Sequence, residues 1–230
     1  MRGYTSTILA YGQTGTGKTH TMEGDISDPS LYGVIPRSIG HIFKALEQPK
    51  FTSGSVTCSY LEIYNEELCD LFADSLNHEK LEIYNGNEGT CCKNLIEKEV
   101  QKPEDVLALI RKADQSRRIG ETKMNKQSSR SHCIFTVHVY SRSESFDGNP
   151  TDYHGRLHMV DLAGSENSKA DTERRSTSVS TSQRYVITVA TVLCCDKKFV
   201  SKKYLHIFSM PPFRTAVHVR EKGKISTHHF

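Results

Sequence analysis

The fold of this chain is decided by residues 12–19, Gly12-Gln13-Thr14-Gly15-Thr16-Gly17-Lys18-Thr19, which fit the phosphate-binding loop pattern G-x-x-x-x-G-K-[ST] at every fixed position. A short apolar run at residues 7–11 precedes them and predicts a buried strand, and a stretch compatible with a helix begins at Lys18. In this context glycines let the backbone fold around an anion, so that successive N–H groups point at phosphate oxygens. The pattern predicts that Lys18 reaches the β- and γ-phosphates of a nucleotide and that the Thr19 hydroxyl ligates Mg²⁺. The alternative is a turn rich in Gly and Thr that matches by chance.

Two later segments follow the loop in a characteristic order. The first is Asn125-Lys126-Gln127-Ser128-Ser129-Arg130-Ser131-His132, and the second is Asp161-Leu162-Ala163-Gly164-Ser165-Glu166. Each one alone is a weak signal, because Ser, Asp and Gly are ordinary turn residues. Together with the loop they resemble the switch I (N-x-x-S-S-R-S-H) and switch II (D-L-A-G-S-E) motifs of the kinesin motor domain. Details of both motifs are most similar to those of the bipolar mitotic (BimC-type) kinesins, and residues 60–68 resemble a kinesin signature strand.

The resemblance implies hydrolysis of ATP with Mg²⁺ and assigns positions to each part of the reaction. The implied cofactor-binding residues are Gly12, Gln13, Thr14, Gly15, Thr16, Gly17, Lys18, Thr19 and His20. The implied catalytic residues are Ser128, Ser129, Arg130, Gly164 and Glu166. The implied metal-site residues are Thr19, Ser129 and Asp161.

Within this set the resemblance implies a separate role for individual residues. Ser129 would contact Mg²⁺ and the γ-phosphate, and Ser128 would help to place the attacking water. Gly164 would offer its backbone N–H to the γ-phosphate, since the absence of a Cβ permits close approach. Arg130 and Glu166 would form an ion pair that closes the two switches over ATP. The alternative for that pair is an ordinary surface salt bridge worth ~0–1 kcal/mol.

Alternating strand and helix patterns around these motifs predict an α/β fold. Strands are expected at residues 55–64, at residues 132–140 and up to Asp161, and helices at residues 36–46 and from Pro103 onward. With a phosphate-binding loop, this order predicts an α/β sandwich. The resemblance implies a P-loop NTPase of the kinesin motor type, in which helices flank a central mixed β-sheet. The resemblance implies that the domain is incomplete at both ends.

The composition changes sharply after Asn167. From Ser168 onward the chain holds 12 Lys and Arg against 4 Asp and Glu, although the net charge of the whole chain is only +3. Residues 1–167 are therefore expected to form a partial motor domain, and residues 168–230 a basic, poorly ordered tail outside the family. The tail could be attracted to microtubules, nucleic acid or anionic membranes, or it could have no evolved role.

The expected partners follow from the resemblance and the composition. The resemblance implies binding to microtubules, weakened because the tail lacks the switch II helix, and a location on the cytoplasmic microtubule cytoskeleton, including the spindle. No apolar run is long enough to span a bilayer, no specific nucleic-acid motif is present, and no heptad run predicts a coiled coil. Seven cysteines without C-x-x-C spacing fit a reducing cytosol. Two other functions stay open: a non-catalytic nucleotide-binding fragment and a basic adhesion module acting through the tail.

Overall fold

The computed structural model of the protein describes residues 3–73, 79–86, 89–121, 129–144, 149–165, 216–221 and 224–229. The helices in this part of the chain are α1 (Lys18–Met22), α2 (Val34–Leu46) and α3 (Pro103–Glu121). The strands are β1 (Thr5–Tyr11), β2 (Phe51–Tyr64), β3 (Glu67–Asp70), β4 (Glu82–Gly86), β5 (Gly89–Lys93), β6 (Lys98–Val100), β7 (His132–Glu144), β8 (Pro150–Asp161), β9 (Ala216–Glu221) and β10 (Lys224–His229). These elements confirm the predicted helices at residues 36–46 and from Pro103 onward. They also confirm the predicted strands at residues 55–64, at residues 132–140 and up to Asp161.

Eight of the described strands form one mixed sheet. Its order is β10-β9-β1-β8-β7-β2-β3, and β6 pairs with β2 beside this path. β1 and β8 run parallel, whereas β7 is antiparallel to both β8 and β2. β4 and β5 form a separate two-stranded sheet. The predicted α/β fold with a central mixed sheet and flanking helices is confirmed.

Helices and sheet are joined by an apolar core. In α2, the apolar residues Ile35, Ile39 and Leu46 recur at helical spacing, and the first two are buried in this core. α3 begins with a proline, and the Asp105 carboxylate accepts the backbone N–H groups of the two residues before the helix, at 3.0 and 3.2 Å. At the centre, the rings of Tyr60, Phe72 and Phe135 meet edge to face, with centroids 5.3 to 6.3 Å apart.

The parallel pairing of β1 with β8 positions the two ends that carry the motifs. Ala10 lies in register with Asp161, so the two strands end side by side. The phosphate-binding loop leaves β1 at this edge, and the switch II segment leaves β8. The carboxyl ends of parallel strands are where α/β sheets bind their ligands.

An additional hairpin lies inside the segment that the sequence predicts as a tail. β9 pairs antiparallel with β1, from Ile8 opposite Val219 to Tyr11 opposite Ala216, and β10 continues the sheet outward. Sequence analysis did not predict either strand. The boundary between residues 167 and 168 stays a prediction. Among the described residues, no helix combines the length and the apolar character that crossing a membrane requires.

We expect deletion of residues 216–230 to accelerate hydrogen exchange at every second backbone amide of β1. The Leu162 N–H donates to the Ala10 carbonyl at 3.2 Å, so Ala10 and Ile8 direct their backbone groups toward β8. Because these directions alternate along a strand, Leu9 and Tyr11 direct theirs toward β9. Amide hydrogen exchange by NMR should therefore accelerate at Leu9 and Tyr11 in the deletion variant, while Ile8 and Ala10 keep their protection. Rapid exchange of Leu9 and Tyr11 in the intact chain would contradict the pairing.

Candidate nucleotide-binding site

The backbone of the phosphate-binding loop depends on left-handed glycines. Gly15 has φ +82° and Gly17, which precedes α1, has φ +86°. A Cβ at either position would meet no atom within 4 Å, so the backbone conformation, and not crowding, favours glycine there. The Thr16 hydroxyl and N–H both donate to the Gln13 carbonyl, at 2.8 and 3.3 Å, and tighten the turn.

Lys18 folds back over this loop. Its Nζ donates to the Gln13 carbonyl at 2.9 Å, and the residue is only 8% exposed. Gln13, Thr14 and Gly15, in contrast, are exposed, as is His20 in the first turn of α1. The ammonium group is therefore held at a loop whose outer rim is open to solvent, which suits the binding of an anion.

Thr19 and Asp161 connect the loop to the end of β8. The Thr19 hydroxyl donates to Asp161 Oδ2 at 2.5 Å. Burial raises the pKa of Asp161, and the hydrogen bond from Thr19 opposes that shift. The second oxygen, Oδ1, is buried and has no hydrogen-bond partner among the described residues. A hydroxyl beside a carboxylate with a spare oxygen is a donor set that fits Mg²⁺.

Four successive backbone N–H groups fasten the segment that follows β8. Leu162 donates to the carbonyl of Ala10 at 3.2 Å, and Ser165 donates to the carbonyl of Gly12 at 3.1 Å. The N–H groups of Ala163 and Gly164, which lie between them, donate to the first residue of β7 and to the segment just before it. Ala163 N–H bonds to His132 Nδ1 at 3.0 Å, and Gly164 N–H bonds to the carbonyl of Ser129 at 3.0 Å. We call these four N–H groups the amide row; it joins the loop and both predicted switches at one edge of the sheet.

Comparison with known proteins shows the family to which this chain belongs. The family model for the kinesin motor domain matches residues 1–192. This chain belongs to the kinesin motor domain family. Kinesin-like protein KIN-5A of Arabidopsis thaliana is 42% identical over 180 residues, covering 73% of this chain and 17% of the relative. Kinesin-like protein Klp61F of Drosophila melanogaster is 40% identical over 186 residues, covering 76% and 17%. A solved structure of a fast kinesin has a TM-score of 0.62 and 32% identity, covering 81% of this chain and 51% of that one.

These matches confirm the predicted kinesin resemblance and fold, and the two relatives are of the predicted BimC type. The chain spans less than a fifth of the length of these curated relatives and about half of the solved kinesin. The family match extends to residue 192, past the domain boundary that the composition predicts at residue 167.

The structure brings together most, but not all, of the predicted kinesin site. The loop, Lys18, Thr19, Asp161, Ser129 and Gly164 meet at the end of β1 and β8. Arg130 is exposed beside them. Ser128 and Glu166 lie outside the described residues, so the placement of water by Ser128 and the Arg130–Glu166 ion pair stay predictions. Gly164 donates here to Ser129, and its donation to a γ-phosphate also stays a prediction.

A buried polar network behind the kinesin loop was missed by sequence reasoning. Glu23 directly follows α1, and its carboxylate accepts a hydrogen bond from the Tyr60 hydroxyl at 2.5 Å. Nearby, Arg117 of α3 forms an ion pair with Glu62 of β2 at 3.3 Å, with side-chain exposures of 11% and 7%. Glu23 stands among polar and glycine residues after a short helix, so nothing in the sequence marks it as buried.

A separate cavity among the described residues does not belong to this site. It has a volume of about 790 Å³ and lies between β3 and the segment that carries β4. Its polar lining is mostly acidic, from Glu67, Asp70, Glu79 and Glu82. An acidic cleft repels nucleotide phosphates, whereas the open loop at Lys18 offers N–H groups and a positive charge. The charges therefore favour the phosphate-binding loop over the cavity as the place where a nucleotide binds.

The Glu23→Gln variant should remove a pH dependence of stability. Burial, followed by the charge of Asp114, raises the pKa of Glu23 from 4.5 to about 7. Between these values the folded chain holds a proton that the unfolded chain releases, so Glu23 lowers the free energy of unfolding as the pH rises from 4.5 to 7. The glutamine amide oxygen still accepts from Tyr60 but does not titrate.

Urea unfolding of wild type and Glu23→Gln between pH 5 and pH 7.5 measures this effect. The stability advantage of the variant should grow with pH by an amount on the order of 2–3 kcal/mol, most of it below pH 7. The control is Glu47→Gln, which alters an exposed carboxyl at the end of α2. Parallel pH profiles for wild type and Glu23→Gln would show that Glu23 is ionised throughout this range.

Proposed function

We propose that this chain is an ATP-binding motor domain of kinesin type, which couples hydrolysis of ATP to movement along microtubules. The observation that carries the proposal is the amide row, because it joins the phosphate-binding loop to residues of both switches. A loop alone holds phosphates, whereas a motor must also register whether the γ-phosphate is present. Membership of the kinesin family supports the same function.

The first task of the site is to hold the nucleotide. The N–H groups of the loop and the N-terminus of α1 would surround the phosphates, and the Lys18 ammonium would leave the Gln13 carbonyl to neutralise their charge. Thr19 and Ser129 would hold Mg²⁺, with Asp161 behind Thr19 orienting the hydroxyl. Bound there, Mg²⁺ would supply positive charge that offsets the negative charge of the phosphates.

The second task is to position water and to stabilise the transferred phosphoryl group. Ser128 would place the water, and Arg130 paired with Glu166 would close the switches over it. The Gly164 N–H would exchange the Ser129 carbonyl for an oxygen of the γ-phosphate. Since that bond exists only when a third phosphate is bound, it would distinguish ATP from ADP.

The expected partner is the microtubule, and the expected location is the cytoplasmic microtubule cytoskeleton. Stimulation of ATP turnover by microtubules would support the motor function. ATP that binds with Mg²⁺ but is not turned over, with or without microtubules, would support the alternative of a non-catalytic nucleotide-binding module.

The Lys18→Ala variant should lose most ATP turnover. Removal of the ammonium leaves the charge on the β- and γ-phosphates uncompensated, which typically costs about 10²-fold or more in rate. Phosphate release in the presence of Mg²⁺ and microtubules measures the loss. Lys44→Ala, which removes an exposed lysine of α2, is the matched control and should turn over ATP at the wild-type rate. Equal rates for Lys18→Ala and wild type would refute the site.

A further inference from the structure

His132 stands apart from the other acceptors of the amide row. Three of the four acceptors are backbone carbonyls, those of Ala10, Gly12 and Ser129. The fourth is the Nδ1 atom of His132, the first residue of β7. A backbone carbonyl is present whatever the residue type, whereas this acceptor belongs to a side chain. The bond to Ala163 therefore depends on the sequence in a way that the other three do not.

The surroundings of His132 suit an acceptor. The residue is 3% exposed, and burial lowers its pKa to about 4. The ring is therefore neutral at neutral pH, and one of its two nitrogens carries no proton. Because Nδ1 accepts from Ala163, the ring proton lies on Nε2.

The hydrogen bond between Ala163 and His132 also affects the next residue, Gly164. The Gly164 N–H lies between two fastened groups, since Ala163 is held by His132 and Ser165 by the Gly12 carbonyl. A glycine between two fixed amides can turn its own N–H without moving the whole segment. An N–H group held close to its final direction loses little entropy when it binds a ligand.

We propose that His132 is a positioning residue that holds the Ala163 amide and thereby directs the Gly164 N–H toward the γ-phosphate. The inference rests on the proposed function and names the part of the ligand that this residue serves. His132 bonds to switch II and not to the loop, so it bears on nucleotides that carry a γ-phosphate. Binding of ADP, which needs the loop, Lys18 and Thr19, does not depend on it.

Two amide variants separate positioning from packing. In His132→Asn the side-chain oxygen takes the place of Nδ1, one bond beyond Cγ, and can accept from Ala163. In His132→Gln the amide group lies one bond farther out, at the place of Nε2, and leaves Ala163 without its acceptor. Both variants are polar and uncharged, so they differ chiefly in where the acceptor lies.

The measurement is the dissociation constant of each variant for Mg²⁺-ADP and for a non-hydrolysable Mg²⁺-ATP analogue. We expect His132→Asn to keep the wild-type ratio of the two constants. His132→Gln should weaken binding of the ATP analogue by about tenfold, with ADP affinity unchanged, because one buried hydrogen bond is lost. ATP turnover should follow the same order, with His132→Asn rescuing what His132→Gln loses.

The outcomes that overturn the inference are distinct from failure of the proposed function. Equal ratios in His132→Asn, His132→Gln and wild type would show that the bond to Ala163 has no effect on the γ-phosphate. Loss of ADP binding in both variants would assign His132 a purely structural role. Wild-type protein that binds neither nucleotide would refute the nucleotide site itself.

Discussion

The parallel pairing of β1 with β8 is the constraint on which the rest of the site depends. It sets Ala10 beside Asp161, so that the loop after one strand and the switch II segment after the other leave the sheet at the same edge. The Thr19–Asp161 hydrogen bond and the amide row both require that adjacency. A shift of one residue in this register would turn Asp161 to the other face of the sheet and leave Thr19 without its partner.

The amide row links the phosphate-binding loop of this kinesin site to both predicted switches. A segment whose N–H groups all form hydrogen bonds keeps its position unless a stronger hydrogen-bond acceptor replaces one of its partners. A γ-phosphate oxygen is such an acceptor, because hydrogen bonds to a charged group are about twice as strong as those between neutral groups. We expect the exchange of the Ser129 carbonyl for a phosphate oxygen at Gly164 to connect the nucleotide to both switches.

How much could be predicted from the sequence depends on the range of the interaction. The loop, the helix from Pro103 and the strand that begins at His132 follow from local patterns of glycine, proline and apolar residues, and all are found. The bonds from Tyr60 to Glu23 and from Ala163 to His132 join positions 37 and 31 residues apart. No local pattern encodes which polar groups the folded sheet brings together. The β9–β10 hairpin was missed because its composition resembles the basic tail around it, while its partner, the edge of β1, exists only in the assembled sheet.

The most direct test of this account follows the backbone amide resonances of the loop and switch II during nucleotide binding. Mg²⁺-ADP should shift the resonances of Gly15 and Gly17 and leave that of Gly164 in place. A non-hydrolysable Mg²⁺-ATP analogue should shift all three, because we expect its γ-phosphate, which ADP lacks, to reach the amide row. A Gly164 resonance that is the same with both nucleotides, while Gly15 and Gly17 respond, would contradict the claim that the amide row detects the γ-phosphate.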